Sequence, residues 1–286
     1  MLYPQHMNSI TVIGSINLDL VANAPRLPVP GETVTDAVLG THPGGKGANQ
    51  ALAARRMGAN VSLIGRVGSD ANTDQALALL RVGGVNLEGV TIDATAATGV
   101  AMVVVDADGE NQIVVAPGAN RLIVPEDVQI ADPDAVICQL EIPLEVVVEA
   151  ARRTTGLFCL NAAPVRPLPD ELIEQTDLLV VNEIEAEQLG DRIHQTGGLV
   201  AITLGSAGAR LYREGRQVAS ATPPAVDVVD TVGAGDAFVG AIVASLVAGH
   251  TEAEALQRAV IAGALATTVR GAQPSAPTLA MVEGLL

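Results

Sequence analysis

The sequence predicts an α/β chain in which parallel strands alternate with helices, with a small β element set outside that alternation. Three observations predict it. Short apolar runs rich in β-branched residues recur at 10–13, 61–65, 135–140, 157–160, 178–181 and 199–204, most of them followed by helix-forming segments. Two glycine turns, in GGKGAN and GAGDAF, open Ala-rich helices. Two alternating runs, 98–105 and 112–115, flank Asp106-Ala107-Asp108-Gly109, a hairpin signal out of step with the βα order.

The chain has 286 residues, of which 49% are hydrophobic, so a sizeable core can be buried. Length alone suggests about two domains, but α/β chains of this size are often one. Sixteen Lys and Arg against 32 Asp and Glu give a net charge of −16. Without a basic cluster, that balance excludes a nucleic-acid binder or a protein that docks on anionic membranes. An anionic substrate must therefore be met by backbone amides, a metal ion or a few local cations. Cys138 and Cys159 lie in apolar runs and read as core thiols in a reducing compartment, not as a disulfide or zinc site. The first residues, MLYPQHMNS, read as an unstructured leader without a basic n-region, and no apolar stretch is long enough to span a bilayer. Cytoplasm is the expected location.

In chain order, the strand at 10–13 stops at Gly14 and runs into GSINLD. Asn17 and Asp19 point the same way in extended backbone, either as paired ligand groups or as an Asx turn. The stretch 25–40 is rich in proline and alternates from Glu32 to Leu39, which predicts a small β excursion. With the 98–115 hairpin it would form a sheet of its own over the ligand end. The GGKGAN turn opens a helix over 48–57 with Gly58 beyond its end. It lacks the Walker A spacing, so it reads as a turn closing on a small ligand. A helix is expected over 74–80. Pro143 starts a helix after the strand at 135–140. The strands at 135–140, 157–160 and 178–181 end at Glu141, Asn161 and Asn182, with Glu185 one turn on. Parallel βα units place such ends on one edge, so these groups either converge on a site or cap helices. An edge hairpin is expected over 210–221 around Glu214-Gly215, and Ala-rich helices over 237–248 and 253–268. The four histidines share no metal-ligand spacing, and only His42 falls beside a candidate site.

The stretch 226–240, VDVVDTVGAGDAFVG, reads as a strand over 226–229, a glycine turn and a helix N-terminus. Free amides and the helix dipole there favour an anion. A carboxylate, Asp236, inside a site built for anions makes sense as a base that takes a proton from a hydroxyl while neighbouring amides stabilise a transferring phosphoryl group. The alternative is a capped turn.

GSINLD, PGETV, GGKGANQA, QLEIPLE, NAAP, NEIEAE, ITLGSAG, DTVGAGDAF and GAQPSAP, in this order, resemble the PfkB sugar kinases, and among them the ribokinases. The resemblance runs from about Ile10 to the C-terminal region. It implies a single three-layer α/β/α ribokinase-like domain with a β-sheet lid from about 20–43 and 97–117, and a homodimer formed through that lid. The implied reaction is transfer of the ATP γ-phosphoryl to the 5-hydroxyl of D-ribose, with Asp236 as base and the amides of Gly233, Ala234, Gly235 and Asp236 as anion hole. Asn17, Asp19, Gly45, Lys46, Gly47, Ala48, Asn49 and Glu141 would hold the sugar. Asn182 and Glu185 would position Mg²⁺ and the phosphates, and Thr203, Leu204, Gly205, Ser206, Ala207 and Gly208 would face the nucleotide. Val260 falls where the family often carries a polar residue near the adenine. K⁺ is implied at Asp230, Val232, Ala266, Val269, Gly271 and Ser275. Between Leu189 and Leu199 the chain is short for the family, and an irregular, trimmed segment is expected there. Kinases for another sugar or a nucleoside, and a non-catalytic sensor, are the other readings on this fold. A Rossmann dehydrogenase is set aside because the first βα turn is GSINLD.

Overall fold

The computed structural model describes residues 8–286, so the leader expected in MLYPQHMNS, apart from Asn8 and Ser9, and His6 lie outside the described residues. The first half of the chain forms β1 (Ser9–Ile13), β2 (Asn17–Asn23), β3 (Val38–Gly44), α1 (Lys46–Arg56), β4 (Asn60–Gly68), α2 (Ala71–Gly83), β5 (Val90–Asp93), β6 (Gly99–Val105) and β7 (Asn111–Ala116). Next come β8 (Ala135–Gln139), α3 (Leu144–Arg153), β9 (Leu157–Asn161), α4 (Asp170–Glu174), β10 (Leu178–Asn182), α5 (Glu183–Leu189) and β11 (Leu199–Thr203). The chain closes with β12 (Ala209–Arg213), β13 (Arg216–Ala221), α6 (Ala234–Val247), α7 (Glu252–Ala266), α8 (Ala272–Ser275) and α9 (Leu279–Glu283).

Among the described residues, nine strands make one sheet in the order β13-β12-β11-β10-β9-β8-β1-β4-β5. All neighbours pair in parallel except β11 with β12 and β12 with β13. Side chains alternate across it with the strand period of two. Ile10, Val12, Val61, Leu63, Ile137, Cys159 and Val180 join one apolar cluster, which includes α1, α6 and α7 residues. Ile13, Ile64, Val136, Cys138, Leu160 and Val181 join another with α3 and α4 residues. Helices thus cover both faces, which is why the central strands are apolar throughout. Both cysteines are buried and free. A separate four-stranded sheet has the order β3-β2-β6-β7, built from the two segments that fell out of the βα order.

Three features differ from the sequence reading. The segment 226–229 is not a strand, although its residues are β-branched. Its backbone pairs instead with the end of α7, the amides of Val229 and Asp230 donating to the Thr267 carbonyl at 2.8 and 3.0 Å. Val228 and Val229 are exposed. Propensity promised a strand, but the hairpin β12–β13 already closes that side of the sheet. The excursion forms regular β3 only from Val38, the alternating residues before it being irregular. The small sheet also starts earlier than expected, with Asn17 and Asp19 in its strand β2.

Helices α1 and α6 cross at Gly240, where a Cβ would stand 2.6 Å from both the Ala53 Cβ and the Ala54 backbone nitrogen. Gly240→Ala would improve helix propensity, but the contact includes backbone that cannot rotate away. The substitution is expected to lower the unfolding free energy by about 1–3 kcal/mol, measured as a lower urea midpoint at unchanged slope.

Candidate active site

Glycines let three loops meet at the N-terminus of α1. Gly45 caps the helix at φ 86°, and a Cβ on it would lie 2.8 Å from the Asn17 nitrogen and the Ser15 oxygen. Gly47 rests on Gly14, where a Cβ would reach the Gly14 carbonyl carbon at 2.5 Å. This packing sets the start of α1 against the end of β1 and the start of β2. Asn17 and Asp19 share one face of β2, as the spacing predicts. Asn17 is oriented by Asn120, whose Nδ2 donates to its Oδ1 at 2.8 Å while the Asn120 Oδ1 accepts the Ile16 amide at 2.9 Å. Asn120 had no motif around it, and only the tertiary contact reveals it. From the end of β8, Glu141 accepts hydrogen bonds from the Ser15 hydroxyl and, at 3.1 Å, from the Lys46 amide.

Asp236 lies in the first turn of α6 and is buried. Asn49 Nδ2 donates to its Oδ2 at 2.9 Å, and Gln50 Nε2 donates to its Oδ1 at 2.9 Å. The helix begins at Ala234, and its first intrahelical bond runs from the Ala237 amide to the Gly233 carbonyl at 2.8 Å. The amides of Gly235 and Asp236 precede that bond and face outward for a ligand. Of the four expected anion-hole amides, that of Ala234 is turned away. It donates to the Thr231 carbonyl at 3.3 Å because Gly233, at φ 83°, closes a tight turn there.

A cavity of about 250 Å³ lies against this helix start, lined among others by Lys46, Asn161, Asn182, Glu185, Thr203, Gly235 and Asp236. Asn182 and Glu185 are both a capping box and part of this wall: each side chain accepts the other's backbone amide at 2.8 Å. The two groups thus cap the helix and line the cavity at once. Of the loop 203–208, only Thr203 reaches the cavity, and 205–207 form an exposed 3-10 turn. Val260 is buried in the core on α7 and does not line the cavity. Its β-branched side chain belongs to the apolar cluster under the sheet. Ala48 is likewise a buried core contact of α1.

Behind the turn, Asp230 accepts the Val232 amide at 3.0 Å on Oδ1 and the Gly271 amide at 2.9 Å on Oδ2. It thereby joins the segment before α6 to the segment after α7, where Ser275 lies buried in α8. Gly233 is held against Ala272, whose Cα a Cβ would meet at 2.5 Å. His42 stands opposite Asp19 in the β2–β3 ladder, and the position of a Cβ on Gly271 is 3.4 Å from its Nδ1. No cluster of three or more His, Cys, Asp or Glu with metal-ligand placement occurs among the described residues.

The charges interact strongly. Lys46 is the only lysine of the chain. The Asp236 carboxylate raises its pKa against the opposing effect of burial, and Glu141 and Glu185 add to the rise. Burial, together with the charges of Glu141 and Asp236, pushes Asp19 up to about 7. Burial also raises Glu185, with the Asn182 amide and Lys46 pulling the other way.

A buried carboxylate at a helix N-terminus, a cluster of polar hydrogen-bonding groups and a cleft meet in one place. Residues 7–279 match the model of the pfkB family of carbohydrate kinases. The chain belongs to that family. It is a sugar kinase with the ribokinase-like fold. It is 38% identical to the ribokinase of Bacillus subtilis over 98% of this chain and 100% of that one. It is 35% identical to a bifunctional ribokinase/ribose-5-phosphate isomerase A of Fructilactobacillus sanfranciscensis over 95% of this chain, and spans 55% of that protein's length. Arabidopsis thaliana ribokinase complexed with ribose and ATP superposes with a TM-score of 0.87 at 32% identity, covering 97% of this chain and 98% of that one. No helix among the described residues is long and apolar enough to cross a membrane.

Asp19 provides a pH test. In the folded chain it holds its proton up to about pH 7, whereas its ordinary value is 3.8. Folding therefore binds a proton in that window, and stability owed to this residue falls as pH rises through it. Asp19→Asn should match the parent near pH 4 and exceed it above pH 7 by about 2 kcal/mol, after allowance for solvent screening. Denaturant midpoints of both proteins across that range measure the gap.

Proposed function

We propose that this chain phosphorylates D-ribose at its 5-hydroxyl with ATP, using Asp236 as the base. The observation that carries the reading is the Asp236 carboxylate, held by two amides at the open N-terminus of α6 on the wall of the 250 Å³ cleft. Asn17, Asp19, Asn49, Glu141 and the turn Gly45–Lys46–Gly47 lie on the adjoining side and supply donors and acceptors for a polyol. Asp236 takes the proton of the sugar hydroxyl as its oxygen attacks the γ-phosphorus, and ADP departs in line. The outward amides of Gly235 and Asp236, with Gly233 shaping their turn, meet the phosphoryl oxygens, and Lys46 offsets their charge.

The donor set fits the two ions such a reaction uses. Asn182 and Glu185 place one carboxylate and one amide on the cleft wall, enough for a magnesium ion held chiefly by phosphates and water. Bound there, Mg²⁺ would neutralise phosphate charge. Asp230 ties the segment before α6 to the segment after α7 through the Val232 and Gly271 amides, and this carboxylate, with backbone carbonyls drawn from Val232, Ala266, Val269, Gly271 and Ser275, would suit a large, weakly hydrated cation such as K⁺. Thr203 and the turn 204–208 would flank the nucleotide, with Val260 shaping the packing beneath it. The small sheet would act as a lid and, through exposed Val38, Leu39, Met102, Ile113 and Val114, as a homodimer contact. Two buried free thiols support a cytoplasmic setting.

ADP release measured over a panel of sugars and nucleosides tests the substrate. D-ribose should lead, and strong turnover of fructose or a nucleoside with none of ribose would overturn the assignment. Asp236→Asn should lower kcat by about 10²–10⁴-fold with ribose affinity nearly kept; a near-parental rate would remove the base. Exchange of K⁺ for Na⁺ should slow turnover, and indifference to it would remove the proposed cation site.

A further inference from the structure

We propose that Gln50 is a positioning residue, which with Gln139 and Asn161 forms a directed relay of buried amides that aims the Asp236 carboxylate from the central sheet. The inference rests on the reading of Asp236 as base. Gln50 and Gln139 are fully buried, and Asn161 is 8% exposed. Two of the three come from strand ends, Gln139 from β8 and Asn161 from β9.

The direction of every amide is determined by chemistry. Asn161 Nδ2 donates to the Val180 carbonyl at 3.1 Å, and a backbone carbonyl can only accept. The Asn161 Oδ1 is therefore the end that faces Gln50, and it accepts from Gln50 Nε2 at 3.0 Å. The second proton of that same nitrogen goes to Asp236 Oδ1 at 2.9 Å. Gln50 Oε1, now on the far side, accepts from Gln139 Nε2 at 2.6 Å. Gln50 thus spends both donors and its acceptor within the protein, and flipping it would set oxygen against oxygen at Asp236 and Asn161.

Asn49, the other donor to Asp236, is built differently. Its Oδ1 is buried without a hydrogen-bond partner. Its amide is therefore held at one end only, by the bond from Nδ2 to Asp236. Gln50 has no such freedom, so Oδ1 of Asp236 stays pinned to the sheet whatever Asn49 does. Placement of a base to within a fraction of an ångström is worth orders of magnitude in rate, and supporting hydrogen bonds supply it.

The test compares Gln50→Met, Gln50→Glu, Gln139→Met and Asp236→Asn by steady-state kinetics with ribose and ATP, and by thermal unfolding. Gln50→Met keeps the volume and removes the donors; kcat should fall about 10–100-fold with both KM values within about threefold. Gln50→Glu keeps the acceptor for Gln139 but faces Asp236 with a carboxylate, and should fall further. Gln139→Met, one bond removed, should lose about 2–10-fold in kcat. A purely structural role predicts lower melting temperatures with kcat unchanged below the transition, and that result would overturn the proposal. If Gln50→Met does not fold, Gln139→Met decides: parental kcat in it refutes the relay. Parental kcat in the Gln50 variants beside an inactive Asp236→Asn refutes the positioning role alone, whereas an active Asp236→Asn refutes the base.

Discussion

The contact between the N-terminal turns of α1 and α6 organises the site. Two helix N-termini aimed at one point repel, because each carries partial positive charge on unsatisfied amides. Here each has an acid: Glu141 accepts the Lys46 amide at the start of α1, and Asp236 stands within the first turn of α6. The approach itself depends on missing side chains, Gly47 on Gly14 and Gly240 on Ala53. With those contacts made, Asn49 and Gln50 reach across from α1 to Asp236 at hydrogen-bond distance. The glycine motifs visible in the sequence thus serve close packing at the helix starts.

The charge pattern follows from that arrangement. Asp236, Glu141 and Glu185 act on the single lysine and raise it, while burial, more than any neighbouring charge, raises Asp19 and Glu185. A neutral polyol benefits, since it offers hydroxyl donors to carboxylates and brings no charge of its own. Triphosphate does not, and must rely on oriented amides, Lys46 and cations that accompany it. An overall charge of −16 is therefore compatible with a nucleotide substrate because attraction is local and not a property of the whole surface.

Much of this was legible from local pattern. Periodicity identified the parallel strands, and the polar strand ends Glu141, Asn161 and Asn182 do lie along one edge, because right-handed βα units leave no other choice. What escaped was set by partners distant in sequence. The 226–229 run looks like a strand, yet its hydrogen bonds go to Thr267. Short α4 and β5 carried too little period to register. Gln50 and Gln139 sit inside the motifs GGKGANQA and QLEIPLE, which assign them no role, and Asn120 lies in no motif; only their mutual distances reveal what they hold. The expectation for Val260 came from the resemblance, and burial places it in the core.

The connection after α5 covers the sheet with little helix. The crossover from β10 to β11 consists of α5 and a 3-10 run over Gly190–Gln195, in place of a full helix. A parallel crossover needs about a dozen residues to return along the sheet, and these segments together supply that length. Ile193 still enters the apolar layer, buried with Leu168, Leu172 and Leu189, and Arg192 donates to the Leu168 carbonyl at 2.9 Å to fasten the turn to the preceding loop. The segment belongs to the helix layer of α3 and α4, away from α1 and α6. The capping box of Asn182 and Glu185 stands at the opposite end of α5 from the trimmed turn and keeps both of its bonds. Function needs the carboxyl ends of the strands to stay in register, and the parallel ladder of β8 to β11 maintains that register through the backbone itself.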